Sequence, residues 1–138
     1  RVAMAGHSDG AETALAAAVT PAPVGQPRFR ALVAMSAQQV SVAGATATPP
    51  ILVTQGDADT INPPSYGYQV WQAANSPKFL LVLHGGGHLP PLQPGSVWLP
   101  GVEAVTLAFL DAYVAGDGTV AGLGQAVAGS TLFQLQTG

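Results

Sequence analysis

The sequence contains no cysteine, so disulfide bonds and metal sites built on thiolates are excluded. Charged residues are also scarce, at 8% of the 138 residues, against roughly 25% in an average soluble domain. Only four residues are Lys or Arg, too few for the basic surface that phosphate groups require. Apolar runs, such as residues 104–110, are far shorter than the ~20 residues that span a bilayer. We therefore expect no nucleic-acid partner and no transmembrane segment.

The sequence is rich in hydrophobic residues, glycine and proline. The hydrophobic fraction is 48%, with 17 glycines and 12 prolines. High hydrophobicity with little charge is the opposite of the composition of disordered chains, and the length fits one domain. We expect buried elements joined by many tight turns.

Strand-like and helix-like segments alternate along the chain. Apolar runs predict buried strands at residues 2–5, 31–35, 51–54 and 79–83. Helices are predicted at residues 11–19, 65–74 and 102–115, and loops at residues 20–27 and 41–50. Nearly continuous apolar strands separated by helices are typical of a parallel sheet with helices on both faces, so we predict an α/β fold. Residues 116–138 are predicted to form a Gly-rich tail, with a short helix near residues 120–128.

Polar side chains follow three of the predicted strands. Ser8 comes after the first strand, Asp57 and Asp59 after the third, and His84 and His88 after the fourth. In parallel sheets with helices on both faces, ligand sites lie at the carboxyl ends of the strands. We therefore expect the functional site among these five residues.

The sequence Gly-His-Ser-Asp-Gly at residues 6–10 matches the G-x-S-x-G nucleophile elbow. It follows a predicted strand and opens a predicted helix, which is the context that the motif requires. Gly6 and Gly10 would let the strand and helix approach closely, and Ser8 would be the nucleophile. Asp9 and Glu12 also have the spacing of a capping box. The alternative is a Gly-rich turn with a solvated serine.

A serine nucleophile needs a histidine base and a carboxylate that orients it. Asp59 lies further along its loop than Asp57, so it can reach a neighbouring loop, whereas Asp57 is predicted to brace its own turn. His88 follows three glycines, which would let its loop reach Ser8, and His84 is predicted to be a hydrogen-bonded strand-end residue. We choose Asp59 and His88; a calcium-like or plain polar turn is the alternative for both aspartates.

The sequence positions of the remaining histidine and of the aromatic residues indicate structural roles. His7 is predicted to pack under the elbow. No histidine has the spacing of a helical metal site, so no metal is expected. Three aromatic residues on the helix predicted at residues 65–74 have the spacing of packing residues: Tyr66, Tyr68 and Trp71.

Residues 90–98 allow two interpretations. They either form a pocket rim, with Leu89 and Trp98 touching an acyl group, or are a loop that Trp98 pins to the fold.

These motifs together resemble the C-terminal half of an α/β-hydrolase over residues 1–115. Residues 52–59, Leu-Val-Thr-Gln-Gly-Asp-Ala-Asp, and residues 85–88, Gly-Gly-Gly-His, resemble the acid and histidine loops of that superfamily. The elbow and the final helix with Phe-Leu-Asp at residues 109–111 are similar to the branch of dienelactone hydrolases, chlorophyllases and polyester hydrolases. The resemblance implies that the Asp9 backbone N–H is one oxyanion donor.

In that superfamily a second oxyanion donor comes from a loop after an earlier strand, and residues 1–138 contain no such segment. We therefore expect about 100 further residues to complete the domain, with residues 1–138 alone poorly soluble or nearly inactive. The missing half of the domain would then be a partner of this segment.

The resulting functional prediction is a serine hydrolase that cleaves small-molecule or polymer esters. Ser8, Asp59 and His88 would carry the reaction through an acyl-enzyme, and no cofactor is needed. One alternative is an enzyme that cleaves amides or peptides, because prolyl-oligopeptidase-type hydrolases share this residue order. The other is a non-catalytic hydrolase-like binding module or an inactive fragment.

Overall fold

A computed structural model describes residues 1–20, 24, 28–38 and 48–138. Most of the two loops that the sequence predicts, at residues 20–27 and 41–50, lies outside the described residues. Within the described part of the chain, no helix is both long enough and apolar enough to cross a membrane.

The described residues form a five-stranded sheet in the order β1-β2-β3-β4-β5. The strands are β1 (Ala3–His7), β2 (Ala31–Met35), β3 (Ile51–Gly56), β4 (Lys78–Leu83) and β5 (Phe133–Thr137). Strands β1 to β4 are parallel, and β5 is antiparallel to β4. The predicted α/β fold with a mostly parallel sheet is confirmed.

Four α-helices connect or cover the described strands: α1 (Asp9–Val19), α2 (Pro64–Ala73), α3 (Leu99–Leu110) and α4 (Val120–Gln125). A 3₁₀ turn covers Pro90–Leu92, and α3 continues as a π-helical turn over Asp111–Ala115. Helix α3 begins three residues before the predicted start. Its first turn accommodates Pro100, which needs no intrahelical acceptor there, and the Leu99 backbone N–H donates to Ser96 Oγ at 3.1 Å.

The helices cover both faces of the sheet, as predicted. On one face Leu32, Ile51 and Val53 pack against Leu15 of α1 and Val70 of α2. The other face carries the alternate strand residues, which pack against α3 and α4; buried there are Val33, Leu52, Leu81, Val105, Phe109 and Leu123. Because successive strand side chains point to opposite faces, strands buried on both sides read as the continuous apolar runs seen in the sequence. The strand predicted to be buried at residues 2–5 is an exception, because β1 lies at the edge of the described sheet and is only partly buried.

Strand β5 was not predicted, because its Phe-Gln-Leu-Gln-Thr sequence lies in a segment dominated by glycine and small residues. Its register runs from Phe133 opposite Leu83 to Thr137 opposite Phe79. Phe133 and Leu135 pack against the face that α3 and α4 cover. The segment predicted as a Gly-rich tail therefore contributes a helix, a strand and a fully buried residue, Leu123.

The joint between β1 and α1 depends on Gly6. A Cβ added at Gly6 would lie 2.0 Å from the backbone oxygen of Gly10, whereas a Cβ at Gly10 would meet nothing within 4 Å among the described residues. The expectation that both glycines are needed for the close approach is therefore correct for Gly6 and wrong for Gly10, because only the Gly6 Cα faces the opposing backbone.

We predict that Gly6→Ala lowers the free energy of unfolding by at least ~2 kcal/mol, since backbone atoms must move to accept the methyl group. Gly10→Ala is the matched control, and it should stay within about 1 kcal/mol of the parent because alanine favours a helix. Urea unfolding followed by circular dichroism measures both. Equal losses for the two variants would contradict this account of the joint.

Candidate active site

Ser8 lies at the sharp turn from β1 into α1. Its backbone has φ 55° and ψ −123°, a positive-φ conformation that costs a residue with a side chain about 1–3 kcal/mol. The Ser8 N–H donates to the Met35 carbonyl oxygen at 3.0 Å, which fixes this turn to the end of β2. The strained strand-to-helix turn that the motif predicts is therefore present.

The first turn of α1 differs from the predicted capping box. Ser8 is the N-cap residue, and its side chain makes no capping hydrogen bond within the described residues. Asp9 is the first helical residue, and its Oδ1 accepts a hydrogen bond from Gln38 Nε2. The Asp9 backbone N–H has no intrahelical acceptor at this position, and none is supplied within the described residues. That N–H can therefore donate to an oxyanion beside Ser8, where the helix dipole also favours negative charge.

Asp59 is held in the loop that follows β3. Its Oδ1 accepts hydrogen bonds from the backbone N–H groups of Ile61 and Asn62, both at 2.9 Å. Asn62 in turn donates from Nδ2 to the Ser36 carbonyl oxygen at 2.7 Å, after the end of β2. These bonds fix one oxygen of the carboxylate and leave the other facing the next loop.

That second oxygen binds His88, which lies in the loop after β4. His88 Nδ1 is 2.9 Å from Asp59 Oδ2, and the two side chains are 8% and 0% exposed. Because an ionised carboxylate only accepts hydrogen bonds, Nδ1 carries the proton and Nε2 is left as the basic nitrogen. The structure therefore brings Asp59 and His88 into hydrogen-bond contact.

A second aspartate–histidine pair lies beside the first. Asp57 Oδ2 is 2.9 Å from His84 Nδ1, and Asp57 Oδ1 accepts from the Gly85 N–H at 2.7 Å. These two side chains are 42% and 44% exposed, so water screens their interaction. His84 is a hydrogen-bonded strand-end residue, as predicted. The carboxylate of Asp57, which was predicted to brace its own turn, instead binds His84 and Gly85 of the neighbouring loop.

His7 brings the elbow against the histidine loop. Its Nε2–H donates to the His88 carbonyl oxygen at 2.9 Å, and the centroids of the two rings are 4.6 Å apart. The residue next to Ser8 is therefore in direct contact with His88. The Ser8 hydroxyl itself makes no hydrogen bond within the described part of the chain, so the structure joins Asp59 to His88 and does not join His88 to Ser8. Such bonds often tighten only in the complex with substrate.

The pKa values of both aspartates are lowered. Burial alone would raise the pKa of Asp59, but the hydrogen bonds from His88, Asn62 and Ile61 favour the ionised form and hold it below its ordinary value. The pKa of Asp57 is lowered chiefly by its hydrogen bond with His84. Asp59 is therefore an anion at neutral pH, as is needed to orient a histidine and to stabilise its protonated form.

Sequence reasoning missed two buried amides of this site, Gln55 and Asn62. Gln55 Nε2 lies 3.1 Å from the Asn62 carbonyl oxygen and 3.4 Å from Asp59 Oδ2. A signal for Gln55 was present in the sequence: it is a polar residue at the end of an otherwise apolar strand. Nothing local distinguishes Asn62 from an ordinary polar loop residue.

The aromatic residues have structural positions. Trp98 Nε1 donates to the His84 carbonyl oxygen at 2.9 Å and its ring packs on the α3 side of the sheet, which favours the pinned-loop interpretation of residues 90–98. Trp71 packs on the opposite core, with Tyr68 at 5.6 Å between ring centroids. Among the described residues, no group of three or more His, Asp or Glu could hold a metal ion.

No protein-family model matches the chain, and no curated protein matches it. The class that the structure itself defines is an α/β protein with a mostly parallel sheet. Its candidate site consists of a buried Asp59–His88 pair beside a strained serine turn.

The lowered pKa of Asp59 predicts a specific dependence of stability on pH. A group with a lower pKa in the folded state stabilises the fold above its unfolded pKa of about 3.9, and this contribution is lost as the pH falls through the folded value. Asp59→Asn should cost about 1.5–3 kcal/mol at pH 7, the usual contribution of hydrogen bonds to a charged group. Below pH 4, the free energy of unfolding of Asp59→Asn should also decrease less steeply than that of the parent protein.

Urea unfolding between pH 7 and pH 3 measures both effects, with Asp57→Asn as the matched exposed control, for which a smaller change is expected. If Asp59→Asn and the parent show parallel pH profiles, the carboxylate of Asp59 is not held in the way described.

Proposed function

We propose that this protein is a serine hydrolase of the α/β-hydrolase type and that it cleaves carboxylic esters. The observation that carries the proposal is the buried hydrogen bond from His88 to Asp59, next to an elbow whose His7 contacts His88 directly. An oriented histidine whose second ring nitrogen has no hydrogen-bond partner among the described residues, beside a serine on a strained turn, is the arrangement that nucleophilic acyl transfer needs.

In the proposed reaction, Ser8 Oγ attacks the ester carbonyl carbon while His88 Nε2 takes the hydroxyl proton. Asp59 keeps the proton of His88 on Nδ1 and stabilises the imidazolium that forms. The intermediate collapses, the alkoxide leaves with the proton from His88, and Ser8 holds the acyl group. Water, activated by His88, then attacks the acyl-enzyme, releasing the carboxylic acid and restoring Ser8.

The tetrahedral intermediates of this reaction carry a negative oxygen that needs hydrogen-bond donors. The Asp9 backbone N–H meets this requirement, because it begins α1 directly after Ser8 and has no acceptor among the described residues. Removing one such donor typically costs 10²–10³-fold in kcat.

The substrate proposed is a small-molecule or polymer ester with an apolar acyl part. Leu89 follows His88 directly, and the residue is 52% exposed, so an apolar group bound beside His88 would cover its side chain. Trp98 is less available for this role, since it donates its N–H to the His84 carbonyl oxygen. Comparison of a p-nitrophenyl ester with the matching p-nitroanilide distinguishes an esterase from an amidase.

We predict that a fluorophosphonate probe forms a covalent bond with Ser8 Oγ and releases fluoride. Intact-mass spectrometry should show one adduct on the parent protein and none on Ser8→Ala. Labelling that persists in Ser8→Ala would assign the nucleophile elsewhere, and an unlabelled parent would indicate a non-catalytic module.

The two histidines should behave differently in ester hydrolysis. We expect His88→Ala to lower kcat by about 10²–10⁴-fold, the usual contribution of a general acid–base group. His84→Ala is the matched control and should lower kcat less than about threefold, because its pair with Asp57 is exposed and weak. Steady-state kinetics on the p-nitrophenyl ester gives both values; comparable losses would overturn the choice of His88.

A further inference from the structure

Gln55 has a buried side chain directly beneath the loop that carries Asp59. It is the next-to-last residue of β3 and is 2% exposed. Its Nε2 lies 3.2 Å from the Gly56 carbonyl oxygen, 3.1 Å from that of Asn62 and 3.4 Å from Asp59 Oδ2. One amide nitrogen therefore contacts both ends of the acid loop and the carboxylate between them.

The orientation of this amide is fixed by its surroundings. Exchanging nitrogen and oxygen would turn Oε1 toward three oxygens that only accept hydrogen bonds. In the present orientation Oε1 is buried without a hydrogen-bond partner among the described residues, which is unfavourable. Helix α2 leaves room for it at Gly67, where a Cβ would lie 2.7 Å from Oε1. The contacts of Nε2 are thus kept, although Oε1 is left without a hydrogen-bond partner among the described residues.

From these contacts we infer that Gln55 is a positioning residue, which keeps the carboxylate of Asp59 directed at His88. The inference rests on the proposed function, in which Asp59 orients His88. Two backbone N–H groups hold Asp59 Oδ1, but Oδ2 has only His88 and Gln55 as side-chain partners within the described residues. Without Gln55, the loop loses its bridge from Gly56 to Asn62, and the carboxylate can rotate or shift relative to His88.

Displacing the amide, without changing Gln55 itself, tests this role. Gly67→Ala puts a methyl group against Oε1, while alanine favours the surrounding helix. The matched control is Gly124→Ala in α4, where a Cβ meets nothing within 4 Å among the described residues. Gln55→Met removes the amide altogether, and Val70→Ala, at a buried position of α2, controls for loss of stability alone.

Two measurements are made on the full chain, at a temperature where circular dichroism shows each variant folded. The first is kcat and KM on a p-nitrophenyl ester. The second is the downfield proton resonance of His88 Nδ1, assigned by its absence in His88→Gln. A misplacement of about 1 Å can cost 10²-fold in rate, so we expect Gly67→Ala and Gln55→Met to lower kcat about 10–100-fold. KM should stay within about twofold, because the change affects orientation rather than ground-state binding.

In the same two variants the downfield resonance should shift or broaden, and it should stay unchanged in Gly124→Ala and Val70→Ala. Parental kcat and an unmoved resonance in Gly67→Ala or Gln55→Met would overturn the inference, as would the same losses in Val70→Ala. If the parent hydrolyses no ester, the proposed function fails, and the resonance alone still decides whether Gln55 positions Asp59 against His88.

Discussion

The candidate site depends on the buried hydrogen bond between Asp59 and His88. To form it, the loops after β3 and β4 must approach so closely that a Cβ at Gly56 would lie 2.1 Å from the Gly86 carbonyl oxygen. The Ala58 N–H donates to that same oxygen at 3.0 Å. The parallel register of β3 and β4 brings both loops to one edge of the sheet. Gly56 is therefore needed where the two backbones cross, and the carboxylate and imidazole lie just beyond the crossing.

Two aspartate–histidine pairs of equal length lie at this edge, and burial distinguishes them. Both have an Nδ1–Oδ2 distance of 2.9 Å. Asp59 and His88 are shielded from water, so their interaction is weakly screened and their geometry is confined. Asp57 and His84 are exposed, and such pairs contribute little to stability. The shielded pair is suited to holding a proton on one nitrogen, and the exposed pair links the two loops from outside.

Much of the fold and part of the site could be predicted from local sequence. Continuous apolar runs identified β2 to β4 because these parallel strands are buried on both faces. The run at β1 also identified a strand, but β1 lies at the edge of the described sheet and is only partly buried. The Ser8 turn was recognisable because strand, turn and helix follow one another within residues 3–19. Strand β5 was missed because a short strand in a Gly-rich segment has little propensity of its own and forms by pairing with β4. The predicted capping box at Asp9 and Glu12 is wrong because the helix begins one residue earlier than that motif assumes, with Ser8 as the N-cap residue.

The sequence by itself determined the order of strand and helix, the strained turn at Ser8 and the set of polar residues at one edge of the sheet. These follow from hydrophobic periodicity and from glycine spacing, which are local properties. Only the tertiary structure decided that Asp59 is buried against His88, that His7 contacts His88, and that Gln55 and Asn62 hold the acid loop. These contacts join residues up to 81 positions apart, and long-range packing, not neighbouring sequence, sets their distance and their exposure to water.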